Sequence, residues 1–359
     1  MSGHHPLKTI GAVLASLLLL TLAACGGAAA GNSSAPPAKI IRIAYQKFPS
    51  GDLIVKNQRL LEQALPDYTI EWKAFDSGAS INTAFIAKAI DIAAIGSSPV
   101  ARGLSQPLNL PYKVAFILDV AGDNEALVAT KASAITSVDG LRGKKIATSL
   151  ASTAHYSLLA ALKQAGLSQC DVTLIDLEPQ DILAAWKRGD IDAAYTWLPA
   201  LDELRKSGKT LIASKQLATA GKPTLDLGVV SDAFIAAHPQ AVEAWRGAQA
   251  QALTQITSGA AAANQSVAAE LGLGADEAAA QLAQGVYLTP TQLTSATWLG
   301  TENSPGAASK YLHDAAIFLA EQKQIPAAPD QSGNDTLIWP HRDGLIWPRQ
   351  RHSGAVMTV

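Results

Sequence analysis

Two cysteines in 359 residues, Cys25 and Cys170, cannot build the disulfide framework that staples small secreted domains. Methionine is equally scarce, aromatics make up 6% of the chain and charged residues only 16%. The formal charge is −2, with no basic stripe and no aromatic RNA-binding pattern, so nothing favours a nucleic-acid partner. Metal-ligand spacings, phosphate-loop glycines and dinucleotide-binding glycine patterns are missing, so no metal and no nucleotide cofactor is expected. The hydrophobic run from Ile10 to Leu22 is shorter than a membrane-spanning helix needs. What is plentiful is apolar content, 48%, which marks a well-packed globular body long enough for two domains.

That run has a different use. Lys8 precedes it and Leu22-Ala23-Ala24-Cys25 ends it. Positive start, apolar middle and small residues are the order of an export signal. The tetrapeptide resembles the bacterial lipobox, which implies cleavage before Cys25, a lipid on Cys25 and attachment to a membrane on the extracytoplasmic side. A plain signal peptide cut near Ala24, with Cys25 incidental, is the alternative. Residues 1–24 are thus read as signal, and 25–38 as a Gly/Ala/Ser tether stiffened by Pro36 and Pro37. Cys170 is left without a partner and reads as a small filler residue.

The body repeats itself. An offset of 101 aligns Phe85 with Trp186, Ile90 with Ile191, Asp91 with Asp192 and Ala93 with Ala194. Each copy reads as a helix end, a tight turn and a short buried strand. Around the copies, strands alternate with helices in βαβ fashion, predicting an α/β fold of two lobes. Ligands in such sheets sit beyond the carboxyl ends of the strands. Residues 232–325 read as packing helices. Beyond Pro326, the doubled Leu-Ile-Trp-Pro at 337–340 and 345–348 is too short for a domain, and the tail is expected to be disordered.

Polar residues concentrate at loops that launch helices: Asp76-Ser77-Gly78, Gly96-Ser97-Ser98 and Ser152-Thr153-Ala154-His155. A helix start offers free N–H groups and a positive dipole end, a ready anion site. Each Ser or Thr also suits a plain helix cap. Glu125 and Asp226 stand within apolar strand sequence, where an acid needs a cationic partner from the protein or from a ligand. Trp197, at the tip of the second repeat strand, suits cation–π contact or core filling. Ser152 with His155 invites a hydrolase reading, but the nucleophile-elbow glycines are missing and no orienting acid is apparent.

Taken in order, FDSGASI (75–81), IGSSPVA (95–101), NEALV (124–128), STAHYSLLAALKQAGL (152–167), AAWKRGDIDAAYTWLPA (184–200), PTLDLGVV (223–230) and YLTPTQ (287–292) resemble taurine-binding proteins of sulfonate ABC transporters. The resemblance spans about residues 40–327. It implies a two-lobed type II periplasmic-binding fold, with lobe 1 from 39–128 plus 225–326, lobe 2 from 129–224, and a tail from 327. It further implies a monomer that captures taurine and passes it to a permease. By position, Asp76, Glu125 and Asp226 would face the ammonium. Gln46, Ser97, Ser98, Ser152, Thr153 and His155 would serve the sulfonate, with Ser77 a further ligand-binding residue and Trp197 an aromatic wall. Another aminosulfonate or an aliphatic sulfonate is the alternative ligand. Pyrimidine-precursor synthases share the fold family and supply the enzyme alternative.

Overall fold

The computed structural model describes residues 39–301, 304–329 and 338. The signal segment, Cys25, the tether and most of the tail lie outside them. The chain opens with β1 (Lys39–Gln46), α1 (Gly51–Asn57), α2 (Leu60–Ala64), β2 (Tyr68–Phe75), α3 (Gly78–Ile86), β3 (Ile92–Gly96), α4 (Ser97–Leu104) and β4 (Tyr112–Val120). It continues through β5 (Glu125–Thr130), β6 (Lys145–Thr148), α5 (Thr153–Gln164), β7 (Thr173–Asp176), α6 (Pro179–Arg188), β8 (Ala193–Trp197), α7 (Ala200–Ser207), β9 (Gly208–Ala213) and α8 (Ser214–Thr219). After β10 (Leu225–Ser231) come helices: α9 (Asp232–Ala237), α10 (Pro239–Thr257), α11 (Ala261–Leu271), α12 (Ala275–Leu282), α13 (Pro290–Leu293) and α14 (Ala308–Glu321).

Two five-stranded sheets result, ordered β2-β1-β3-β10-β4 and β7-β6-β8-β5-β9. They are built alike. Three parallel strands come first, and the fourth, antiparallel strand is the one that has crossed from the other sheet. The repeat read from sequence is this likeness, since β3 and β8 lie 101 residues apart. Its shared aspartates are clips. Asp91 accepts the Arg42 N–H at 2.9 Å, and Asp192 accepts the Lys145 N–H at 2.8 Å. Each ties the entry of a central strand to its parallel neighbour.

Each sheet has its own core. Ile41, Ile43, Ile92, Ile95, Phe116, Val229 and Trp245 are buried in the first, and Leu127, Ile146, Leu158, Leu162 and Tyr195 in the second. The boundary expected after Val128 is displaced. β5 pairs with β8 and β9 over its whole length, so the chain crosses at residues 121–124. The return crossing lies beside it, with the Ala121 N–H donating to the Thr224 carbonyl at 2.9 Å. The C-terminal helix corrects the expected lobe 1 as well. α14 packs on α4, yet Phe318 stacks edge-on against Tyr156 at 4.8 Å, and Lys163 pairs with Glu321 at 2.8 Å. The helix therefore straps both sheets. Ile338, in the tail, is partly buried and bridges Val114 on the edge strand β4. Cys170 is exposed at a short turn and fills no core.

Candidate functional site

Three helices begin at one place between the sheets. Ser77 caps α3 in a reciprocal pair with Ser80, whose hydroxyl donates to the Ser77 carbonyl at 2.7 Å. Gly96 precedes α4, where Ser97 Oγ accepts the Leu225 N–H at 3.0 Å and Ser98 is buried. Ser152 caps α5, accepting the His155 N–H at 3.1 Å and donating to the Ser149 carbonyl at 2.6 Å. The hydroxyls of Ser80, Ser97 and Ser152 are thus engaged with the protein's own backbone. What such helix starts hold in reserve is the first-turn N–H groups and the dipole.

The approach is close. A Cβ on Gly78 would lie 2.4 Å from Pro99 Cγ, and one on Gly96 would lie 2.6 Å from Thr153 Cγ2. Only glycine lets these turns meet. Gly78, Gly96, Ser152 and Thr153 line one side of a cavity of about 30 Å³. Gln46, Phe48, Pro49, Asn124, Trp197 and Leu198 contribute further walls, and Glu125 and Asp226 face in from the strands. All come from the same sheet edges, beyond the carboxyl ends of the parallel strands, as the fold rule requires.

Glu125, 3% exposed, sits in a shell of hydroxyls. Thr153 donates to it at 2.5 Å, Ser214 at 2.6 Å, Ser157 at 3.1 Å and Thr224 at 3.3 Å. Burial raises its pKa and the four hydroxyls pull it back down. Asp226 is pushed up to about 7, first by desolvation and then by the charge of Glu125. Its cross-strand partner on β4 is Asp119, fully buried, with neither carboxyl oxygen meeting an N–H or hydroxyl donor among the described residues. Among the described residues no ion pair involves Asp119, Glu125 or Asp226. Two acids facing the cavity, Glu125 buried and Asp226 partly buried, have no protein base among the described residues, which suits that end to a cation.

Of the residues singled out from sequence, Gln46, Glu125, Ser152, Thr153, Trp197 and Asp226 line the cavity together. Thr153 does so with its hydroxyl given to Glu125, so it serves the acid end more than an anion. Asp76 is exposed and lines an outer pocket instead, with Gln46, Lys47, Glu178, Asp181 and Trp197. Ser77, Ser97 and Ser98 stand behind the lining as caps and first-turn residues. His155 is also behind it. Its Nδ1 accepts the Ala151 N–H at 3.2 Å, and desolvation lowers its pKa to about 4. The imidazole makes no bond to the Ser152 hydroxyl, and its Nε2 meets no partner among the described residues, so the Ser/His pairing considered from sequence does not form. Asp119 and Phe48 were missed. Asp119 carried the same signal as Glu125, an acid within an apolar strand, VAFILDV.

Residues 110–261 match the model of the NMT1/THI5-like family. The chain is 38% identical over 265 residues to the taurine-binding periplasmic protein of Escherichia coli K12, covering 72% of this chain and 79% of that one. In structure it is similar to the alkanesulfonate-binding protein of Xanthomonas axonopodis pv. citri bound to MOPS, with a TM-score of 0.69 at 24% identity, covering 86% of this chain and all of that one. A desulfurization enzyme shares the fold more distantly, with a TM-score of 0.57 at 15% identity over 83% of this chain and 99% of that one. Extent and identity together place the chain: it belongs to the family of taurine-binding periplasmic proteins.

Proposed function

We propose that this protein captures taurine outside the cytoplasm and delivers it to an ABC permease. One observation carries the reading: a small cavity with helix starts on one side and unpaired Glu125 and Asp226 on the other. Taurine is a zwitterion with the same separation. Its sulfonate stays ionised at any ordinary pH, so it needs fixed N–H donors, which helix starts supply. Its ammonium needs carboxylates, with Trp197 as an adjoining aromatic wall. A ligand without the ammonium leaves the acids buried and unpaired, which typically costs several kcal/mol and acts as a device of specificity.

The protein works as a binder and not as an enzyme. The cavity lining holds no cysteine, and Ser152 is engaged as a helix cap. Cys25, outside the described residues, carries a lipid that holds the monomeric body at the membrane through the 25–38 tether. Labelling with a radioactive fatty acid tests the anchor: label on the wild type and none on Cys25→Ala is expected, and label on both contradicts it.

Titration calorimetry tests the ligand. Saturable heat with taurine and much weaker heat with ethanesulfonate or nitrate is expected. Heat with ethanesulfonate but none with taurine would transfer the assignment to an aliphatic sulfonate.

A further inference from the structure

Asp119 does no work in the reading above. It does not line the cavity, it is completely buried, and it stands directly across from Asp226 in the β4–β10 ladder, with a bulge immediately after Asp226. Residues directly opposite in an antiparallel pair share a face, and like charges there repel. Bulges beside sites re-aim a side chain. Two ionised carboxylates cannot both be kept at this position without a base, and one must hold a proton. The deeper acid is the one that loses most by ionising.

The neighbours bring no base to the pair. Asp226 faces Asp119 from β10, and Glu125 faces both from β5, its charge quieted by hydroxyls. Tyr287, on the loop before α13, stands near both acids, but its hydroxyl donates to the Pro49 carbonyl at 3.1 Å. The helix packed on β4, α10, carries Arg246, which is held by Glu243 at 3.2 Å. On α1, Asp52 is engaged by Gln249.

We propose that Asp119 is a positioning residue: as a neutral acid it donates its carboxyl proton to the Asp226 carboxylate, keeping that carboxylate ionised and turned to the cavity for a ligand ammonium. The inference rests on the proposed taurine reading. Both acids agree with it electrostatically. Desolvation and Asp226 drive Asp119 upward, while the hydrogen bond from Asp119 pulls Asp226 down against its own burial. Ligand capture then releases protons wherever Asp226 is partly protonated in the free protein.

The experiment is taurine titration calorimetry from about pH 5.5 to 8.5 on the wild type, Asp119→Asn and Asp119→Ala, with thermal melts to confirm folding. For the wild type, affinity falls about tenfold from pH 8 to pH 6, with a midpoint near 7. Asp119→Ala loses the donor, so its midpoint moves up by about one unit and its affinity at pH 7 falls about fivefold. Asp119→Asn keeps an N–H donor and restores affinity to within about threefold of the wild type. Equal losses in Asn and Ala overturn the proposal. So does a midpoint that falls by about a unit in Asp119→Asn, the result for an ionised Asp119, and this arm decides alone if Asp119→Ala does not fold. Taurine binding with an unmoved midpoint in all three overturns the role of Asp119 and leaves the functional reading standing. Wild-type binding of ethanesulfonate without taurine removes both.

Discussion

The helix end and the strand end of the cavity are built on opposite principles. At the helix end, α3, α4 and α5 supply partial charge through backbone N–H groups, and the nearby hydroxyls of Ser80, Ser97 and Ser152 are occupied in shaping the turns. Nothing there titrates near neutral pH, as suits an anion that never takes up a proton. At the strand end, formal charge comes from Glu125 and Asp226, held by hydroxyls and by a second acid, with no protein base among the described residues. That end is pH-dependent, as suits a cation. On the proposed taurine reading, the difference teaches where specificity resides: a sulfonate would be met by the helix end, and only an aminosulfonate by both.

The largest effect falls on the strand end. Asp226→Asn removes a buried charge from the ammonium contact, and taurine affinity should fall by about 30- to 1000-fold, or about 2–4 kcal/mol. Calorimetry checks this, and a change under about threefold would separate Asp226 from the ligand. At the helix end, Gly96→Val forces a side chain against Thr153 and wedges the two sheets apart. Overpacking of this kind costs about 1–3 kcal/mol, so taurine and ethanesulfonate should weaken alike by about 10- to 100-fold. Loss for taurine alone would blur the two ends.

The effect of pH comes next. Asp226 is raised to about 7, and its protonated form does not attract an ammonium. Taurine affinity should therefore fall about tenfold from pH 8 to pH 6 while ethanesulfonate affinity holds or rises. A parallel fall for both would place the titrating group at the helix end.

The smallest effect compares a ligand-facing acid with a structural one. Asp52 is buried between α1 and α10, bonded by Gln249, and raised to about 7 by desolvation. A buried acid with a raised pKa binds its proton more tightly folded than unfolded, so stability falls as pH rises through about 7. Asp52→Asn should raise the melting temperature by a few degrees at pH 8, about 1 kcal/mol, and do little at pH 5. Taurine affinity should stay within about twofold, in contrast to Asp226→Asn.

Much of this was legible in the sequence because it rests on local signals. The repeat predicted the paired sheets, since a helix end, a turn and a buried strand are short-range features. Strand β9 was not legible: Gly208–Ala213 is an exposed edge whose polar residues carry no clean alternation. The placement of β5 was not legible either, because which sheet claims a buried strand depends on contacts distant in the chain. Within the site, Glu125 and Asp226 announced themselves as acids in apolar strands. Ser152 and Ser97 showed the limit of that approach. A hydroxyl before a helix reads the same whether it faces a ligand or caps the turn, and only the bonds to the Ser149 carbonyl and the Leu225 N–H decide. His155 failed for a related reason, since burial against the Ala151 N–H has no sequence signature.

The division between the two ends is tested most directly by a two-by-two titration: wild type and Glu125→Gln, each with taurine and with ethanesulfonate, at pH 8. Taurine should lose about 30-fold or more on substitution, while ethanesulfonate holds or gains because an unpaired buried charge has been removed. Equal losses for both ligands would contradict it, showing that Glu125 shapes the cavity without meeting an ammonium.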